Sequence, residues 1–71
     1  MTSPHLEKRS LSIQGHRTSI ALEPAFWAIL ETAAATRNLP LAALIADLDE
    51  QRSTPLASAL RLFALEEARR L

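Results

Sequence analysis

Lys8, Arg9 and Arg17 stand close together near the start of the chain with only Glu7 to offset them. Cationic side chains grouped in this way can neutralise phosphate or meet another acidic surface. From Glu23 to Leu71 five arginines face seven acids, so the two parts carry +2 and −2 in a chain of zero net charge. Two copies that set their N-terminal segments side by side would present a concentrated basic edge on a neutral particle. Other chemistries are poorly served. His5 and His16 lie far apart in sequence, have no carboxylate at ligand spacing and no cysteine beside them, so they do not read as a metal site. With no Cys or Tyr and a single Gly, the chain offers no grouped nucleophile, base and oxyanion donors. We therefore assign no catalytic residue, no metal and no cofactor, and the reading is not an enzyme.

The elements that must position the basic residues are short. Seventy-one residues make one domain, near the size at which a single core barely offsets the entropy of ordering the chain. The absence of cysteine removes disulfides as a source of stability and gives no sign of an oxidising compartment. No apolar run reaches the length of a membrane span, and residues 1–8 lack the apolar core of a signal peptide, so a cytoplasmic protein is expected. Met1 to Glu7, with Pro4 and no periodicity, reads as a flexible tail, and residues 8–71 as the folded domain.

Apolar parity organises the next segment. Leu11 and Ile13 occupy odd positions, whereas Thr18, Ile20 and Leu22 occupy even ones, so one continuous strand would send the two sets to opposite faces. One solution is a two-residue turn in Gln14-Gly15-His16-Arg17 with Gly15 at the first central position, which pairs Ile13 with Thr18, Leu11 with Ile20 and Arg9 with Leu22. The other is a flexible arm ending at Gly15, with only Arg17 to Leu22 forming a strand. Such a lone strand needs a partner, most naturally the same strand of a second copy.

Three amphipathic helices are expected after it. Glu23-Pro24 opens the first, with proline suited to the first helical position, and Phe26, Leu30, Ala33 and Arg37 follow helical spacing with Trp27 and Ile29 widening the face. It should stop near Arg37-Asn38. Pro40 opens the second, whose Leu41, Leu44, Ile45 and Leu48 form an i, i+3, i+4, i+7 stripe. Thr54-Pro55 reads as an N-cap followed by proline at the first helical position, starting a third helix with Leu56, Leu60, Phe63 and Ala64 on one face and Leu62 and Leu65 extending it. Apolar surface on this scale, in so short a chain, points to an obligate homodimer.

Taken in order, Gly15-His16-Arg17-Thr18-Ser19, Leu22-Glu23-Pro24, the pair Phe26-Trp27, the Asn38-Leu39-Pro40 turn and Ser58-Ala59-Leu60-Arg61 resemble the ribbon-helix-helix family, the Arc/MetJ-type β-ribbon DNA-binding fold. The likeness is to a small bacterial subgroup with a third helix. The resemblance implies a mostly α fold with a short N-terminal strand or hairpin, forming a homodimer with an additional C-terminal helix. Its core between chains would draw on Ile20, Leu22, Phe26, Trp27, Leu30, Leu44, Ile45 and Leu48. The family's inward strand residues join the core and its outward ones meet base edges in the major groove. By parity the outward set is Arg17, Ser19 and Ala21: arginine suits guanine, serine several bases, and alanine only a thymine methyl. Lys8 and Arg9 would touch phosphate as an arm. The family's anion site at the start of the second helix carries Pro40 here, leaving Asn38 as the nearest phosphate contact.

Two functions follow from that likeness. One is a transcription regulator that binds double-stranded DNA; the other is a homodimeric protein-interaction module of the same fold, with the third helix as a surface for a protein partner. The groove admits a two-stranded ribbon but hardly a four-stranded sheet, so the hairpin bears directly on the choice.

Overall fold

The computed structural model describes residues 5–70. Strands β1 (Glu7–Ile13) and β2 (His16–Leu22) pair antiparallel, and helices α1 (Pro24–Thr36), α2 (Leu41–Gln51) and α3 (Leu56–Arg69) follow. The chain is thus mostly helical, with its ribbon made by one chain. Of the segment read as a tail, Glu7 is the first residue of β1, and residues 1–4 lie outside the described residues.

The turn is Gln14-Gly15, not Gly15-His16. Both residues have positive φ, 51° and 81°, as a type I′ hairpin requires, and the twist of that turn matches the strands it joins. The register is therefore Ile13 with His16, Leu11 with Thr18, Arg9 with Ile20 and Glu7 with Leu22. This differs by two residues from the pairing expected from sequence. A two-residue shift leaves every side chain on its predicted face, which is why parity alone does not detect it.

Helix α1 starts where Glu23, in extended conformation, accepts backbone hydrogen bonds from Phe26 and Trp27, with Pro24 at the first helical position. Its end is a Schellman motif: Asn38 takes φ 56°, its N–H bonds the Ala35 carbonyl, and the Leu39 N–H reaches back to Ala34 at 2.9 Å. Pro40 is the N-cap of α2, and its carbonyl receives the Ala43 and Leu44 N–H groups. Pro55, not Thr54, is the N-cap of α3, and no side chain caps that helix. Thr54 instead offers its carbonyl to Arg52, which also pairs with Asp49, so the α2–α3 loop is held by one arginine.

The core lies between the inward face of the hairpin and the three helices. Ile13, Ile20, Leu22, Trp27, Leu30, Ile45 and Leu60 form one cluster, and Ala33, Ala34 and Leu44 a second, with Leu41, Leu48 and Phe63 packed against both. Trp27, Leu22, Leu30, Ile45 and Leu60 are fully buried. Each such side chain contributes about 1.5–3 kcal/mol relative to exposure. The eight residues expected between two chains are therefore buried or half-buried inside one, because α3 supplies Leu60 and Ala64 as the covering layer. Leu62 and Leu65 do not extend that layer; they are 58% and 51% exposed. At about 100° per residue Leu62 lies roughly 200° around the helix from Leu60, on the opposite side.

Candidate nucleic-acid interface

Strand alternation sends Lys8, Ser10 and Ser12 of β1 and Arg17, Ser19 and Ala21 of β2 to the face of the ribbon turned away from the helices. All are exposed except Ala21, which is half-buried. The register sets Lys8 beside Ala21, Ser10 beside Ser19 and Ser12 beside Arg17. Arg17 donates from Nη1 to the Ser12 hydroxyl at 3.3 Å. The face carries no carboxylate, since the acids of the chain all lie elsewhere.

Ion pairing sharpens this picture. Arg9, Arg37, Arg52, Arg61, Arg69 and Arg70 each have a carboxylate partner, so six of the eight lysines and arginines are neutralised. Among the described residues the two without one are Lys8 and Arg17, and both stand on the outward face of the ribbon. Exposed cations on a polar surface without acids suit a polyanion, with serine hydroxyls able both to donate and to accept.

The other residues singled out from sequence are used differently. Arg9 has the parity of the inward face and lies half-buried there, bonded to Glu7 and Glu31, with its guanidinium 4.7 Å from the centre of the Trp27 ring. The Glu31 hydrogen bond, with a further contribution from Glu7, raises its pKa further despite partial desolvation. With Nε held by Glu7 and Nη1 by Glu31, Arg9 has less free positive charge to offer a phosphate than Lys8 or Arg17. Asn38 belongs to the α1–α2 turn, where its left-handed backbone ends a helix; it does not join the ribbon face. At the start of α2 the cap is Pro40, which has no side-chain hydrogen bond to offer.

Two further arginines fasten α3. Arg37 donates to both oxygens of Glu67 at 2.9 and 3.0 Å, and that hydrogen-bonded pair holds the Glu67 carboxyl below the usual range and raises the arginine. Arg61 reaches Glu23 at 3.0 Å and lowers its pKa in the same way, so the carboxylate at the start of α1 serves a tertiary contact. Ser10 and Ser12 escaped the sequence reading. Their signal is the alternation of Lys8-Arg9-Ser10-Leu11-Ser12-Ile13, which puts a polar residue at every even position.

A two-stranded antiparallel ribbon followed by three helices fits the ribbon-helix-helix fold with an additional C-terminal helix. The family model described as ribbon-helix-helix domain matches residues 6–68, and the chain belongs to that family. No curated protein and no solved structure matches the chain.

Proposed function

We propose that this chain is a DNA-binding protein that acts in transcription regulation, presenting the outward face of its β-ribbon to the major groove of double-stranded DNA. Ribbon-helix-helix domains generally form dimers and bind DNA, and the proposal includes a homodimer in the cytoplasm. The observation that carries it is the placement of Lys8 and Arg17, the two Lys/Arg side chains outside ion pairs among the described residues, on a serine-rich face without a carboxylate. Arg17 is assigned to guanine O6 and N7, Ser19 to a base edge, Ala21 to a thymine methyl and Lys8 to phosphate.

The test is fluorescence anisotropy of labelled random and genomic duplexes over a range of salt. Binding should weaken with salt along a log–log slope of about −0.9 per phosphate contact. Affinity no tighter than millimolar at low salt overturns the proposal. The interaction-module reading then takes its place, with β2 pairing to a second copy in a four-stranded sheet too broad for the groove.

A further inference from the structure

Helix α3 has two apolar faces. Leu60 and Ala64 close the core, whereas Leu62 and Leu65 stand exposed on the opposite side. Ser58, Leu62, Leu65 and Arg69 follow one another at intervals of four, three and four residues. At about 100° per residue they fall within an arc of about 60° along the solvent side of the helix. That is the spacing of an a/d seam, with the two leucines at its middle and polar residues at both ends. Arg61 and Glu66 flank the leucines on opposite sides of the seam, at the g and e positions. Two neighbouring exposed leucines bounded by opposite charges make a face that can match itself.

We propose that the outward face of α3 is a self-association surface, and that its occupant is α3 of a second copy lying parallel to it. Leu62 then meets the partner's Leu62 and Leu65 the partner's Leu65. Arg61 stands at the g position opposite the partner's Glu66 at e, the usual site of an interhelical ion pair. Charge chooses the direction, because an antiparallel pair would set Glu66 near the partner's Ala59 and Arg61 near the partner's Ala68. Within the chain Arg61 reaches Glu23 at 3.0 Å and Glu66 accepts from Arg69 at 3.3 Å, so the parallel pair joins these into networks of alternating sign. Arg69, the last residue of α3, has a 79% exposed side chain and stays at the rim.

Size sets the strength of this contact. A 14-residue helix, about 21 Å long and about 10 Å wide, presents on the order of 200 Å² per copy, against about 600–1,000 Å² per partner in a stable interface. Alone the contact is weak, and it gains strength where copies held together elsewhere offer two such faces at once. It is separate from strand pairing at the ribbon and does not depend on DNA binding.

The experiment is sedimentation equilibrium of the full chain from low micromolar to about millimolar concentration, beside variants of the seam. The parent's average mass should rise above that of its low-micromolar species. In Leu62→Gln/Leu65→Gln the rise should move to at least about tenfold higher concentration, with circular dichroism unchanged because both leucines face solvent. Glu66→Arg should move it several-fold by setting like charges across the pair, a change an antiparallel pair would not feel. The chain has no cysteine, so Leu62→Cys reports the register. Under oxidation it should link to itself faster than Ala68→Cys, an exposed position of α3 off the seam, because only the seam brings Cα atoms within the roughly 4.4–6.8 Å of a disulfide. The proposal is overturned if the parent and Leu62→Gln/Leu65→Gln superimpose over the whole range, if Glu66→Arg has no effect, or if Ala68→Cys links as readily as Leu62→Cys. None of these results bears on duplex binding, so the DNA reading stands or falls separately.

Discussion

Arg9 lies across the indole of Trp27, which in turn donates from Nε1 to the Glu7 carbonyl at 2.8 Å. A cation, a ring and a backbone carbonyl thereby tie the start of β1 to the first turn of α1, and they fix where the hairpin sits on the helices. Replacing the ring tests the tie. Trp27→Phe removes the hydrogen bond and leaves space in a fully buried site, at an expected cost of about 2–4 kcal/mol in denaturant unfolding. Arg9→Ala should cost only about 1 kcal/mol, since its carboxylate partners are exposed or half-buried, and should leave the salt slope of DNA binding unchanged. A reduced slope in Arg9→Ala would return Arg9 to the phosphate-binding set.

Parity on β2 is tested by two aspartates in adjacent positions. Ile20→Asp puts an unpartnered carboxylate into a side chain's place in the core and should cost several kcal/mol, enough to unfold so small a domain. Ser19→Asp places the same group in solvent. Its thermal midpoint should stay within a few degrees of the parent while duplex binding falls, because a negative charge enters the only face with unpaired cations among the described residues. Equal loss of folding in both variants would contradict the face assignment.

Lys8→Ala and Arg17→Ala separate affinity from readout. Loss of Lys8 should weaken binding to all duplexes alike and reduce the salt slope by about one per chain. Loss of Arg17 should cost about 1–3 kcal/mol on a selected site and relax one base pair, with the fold intact. Identical behaviour of the two variants on selected and random duplexes would show that Arg17 meets phosphate only.

Burial within one chain alters what dilution should do to the proposed dimer. Sedimentation equilibrium at low micromolar concentration should show twice the chain mass, and dilution should release monomers that keep their helical circular dichroism, because Leu60 and Ala64 of α3 already close the core. Loss of helix in step with loss of mass would mean that the monomer does not fold alone. Leu60→Ala, expected to cost about 2–5 kcal/mol, should then unfold monomer and dimer together.

Acid should loosen α3. Glu67 is held below the ordinary carboxylate range first by the Arg37 hydrogen bond, and Glu23 by that of Arg61. A carboxyl whose pKa is lower folded than unfolded adds stability above the unfolded value and loses it as pH falls through the folded one. The thermal midpoint should therefore fall as pH drops below the ordinary carboxylate range, and in Glu67→Gln it should fall less steeply. Superimposable pH profiles would remove the Arg37–Glu67 pair from the account of acid stability.

Much of the fold can be read from residue order. Pro24, Pro40 and Pro55 mark the three helix starts to within a residue, and the inward faces of β2 and α2 follow from spacing alone. Gly15 is equally at home in a turn or at the end of an arm, so local sequence does not separate hairpin from lone strand. Arg9 shares the parity of Leu11 and Ile13, and that parity was the sign of its inward position. Its chemistry suggested phosphate because Glu31, its partner, is twenty-two residues away and on another element. The unpaired state of Lys8 and Arg17 has the same origin: it depends on where every carboxylate folds to, which local pattern does not contain.

Eight basic and eight acidic residues leave the molecule with a formal net charge of zero, and six of its arginines sit in ion pairs. Among the described residues, the charges outside ion pairs are Lys8 and Arg17 on the ribbon and Asp47 and Glu50 on α2. Among the described residues the positive charges outside ion pairs therefore stand on the ribbon and the negative ones on α2. Toward a polyanion such a particle feels little net pull at a distance but a turning force as it nears, which brings the ribbon forward before contact. Its encounters would be selected by orientation more than by attraction, and ionic strength would act on them chiefly within a Debye length of the surface.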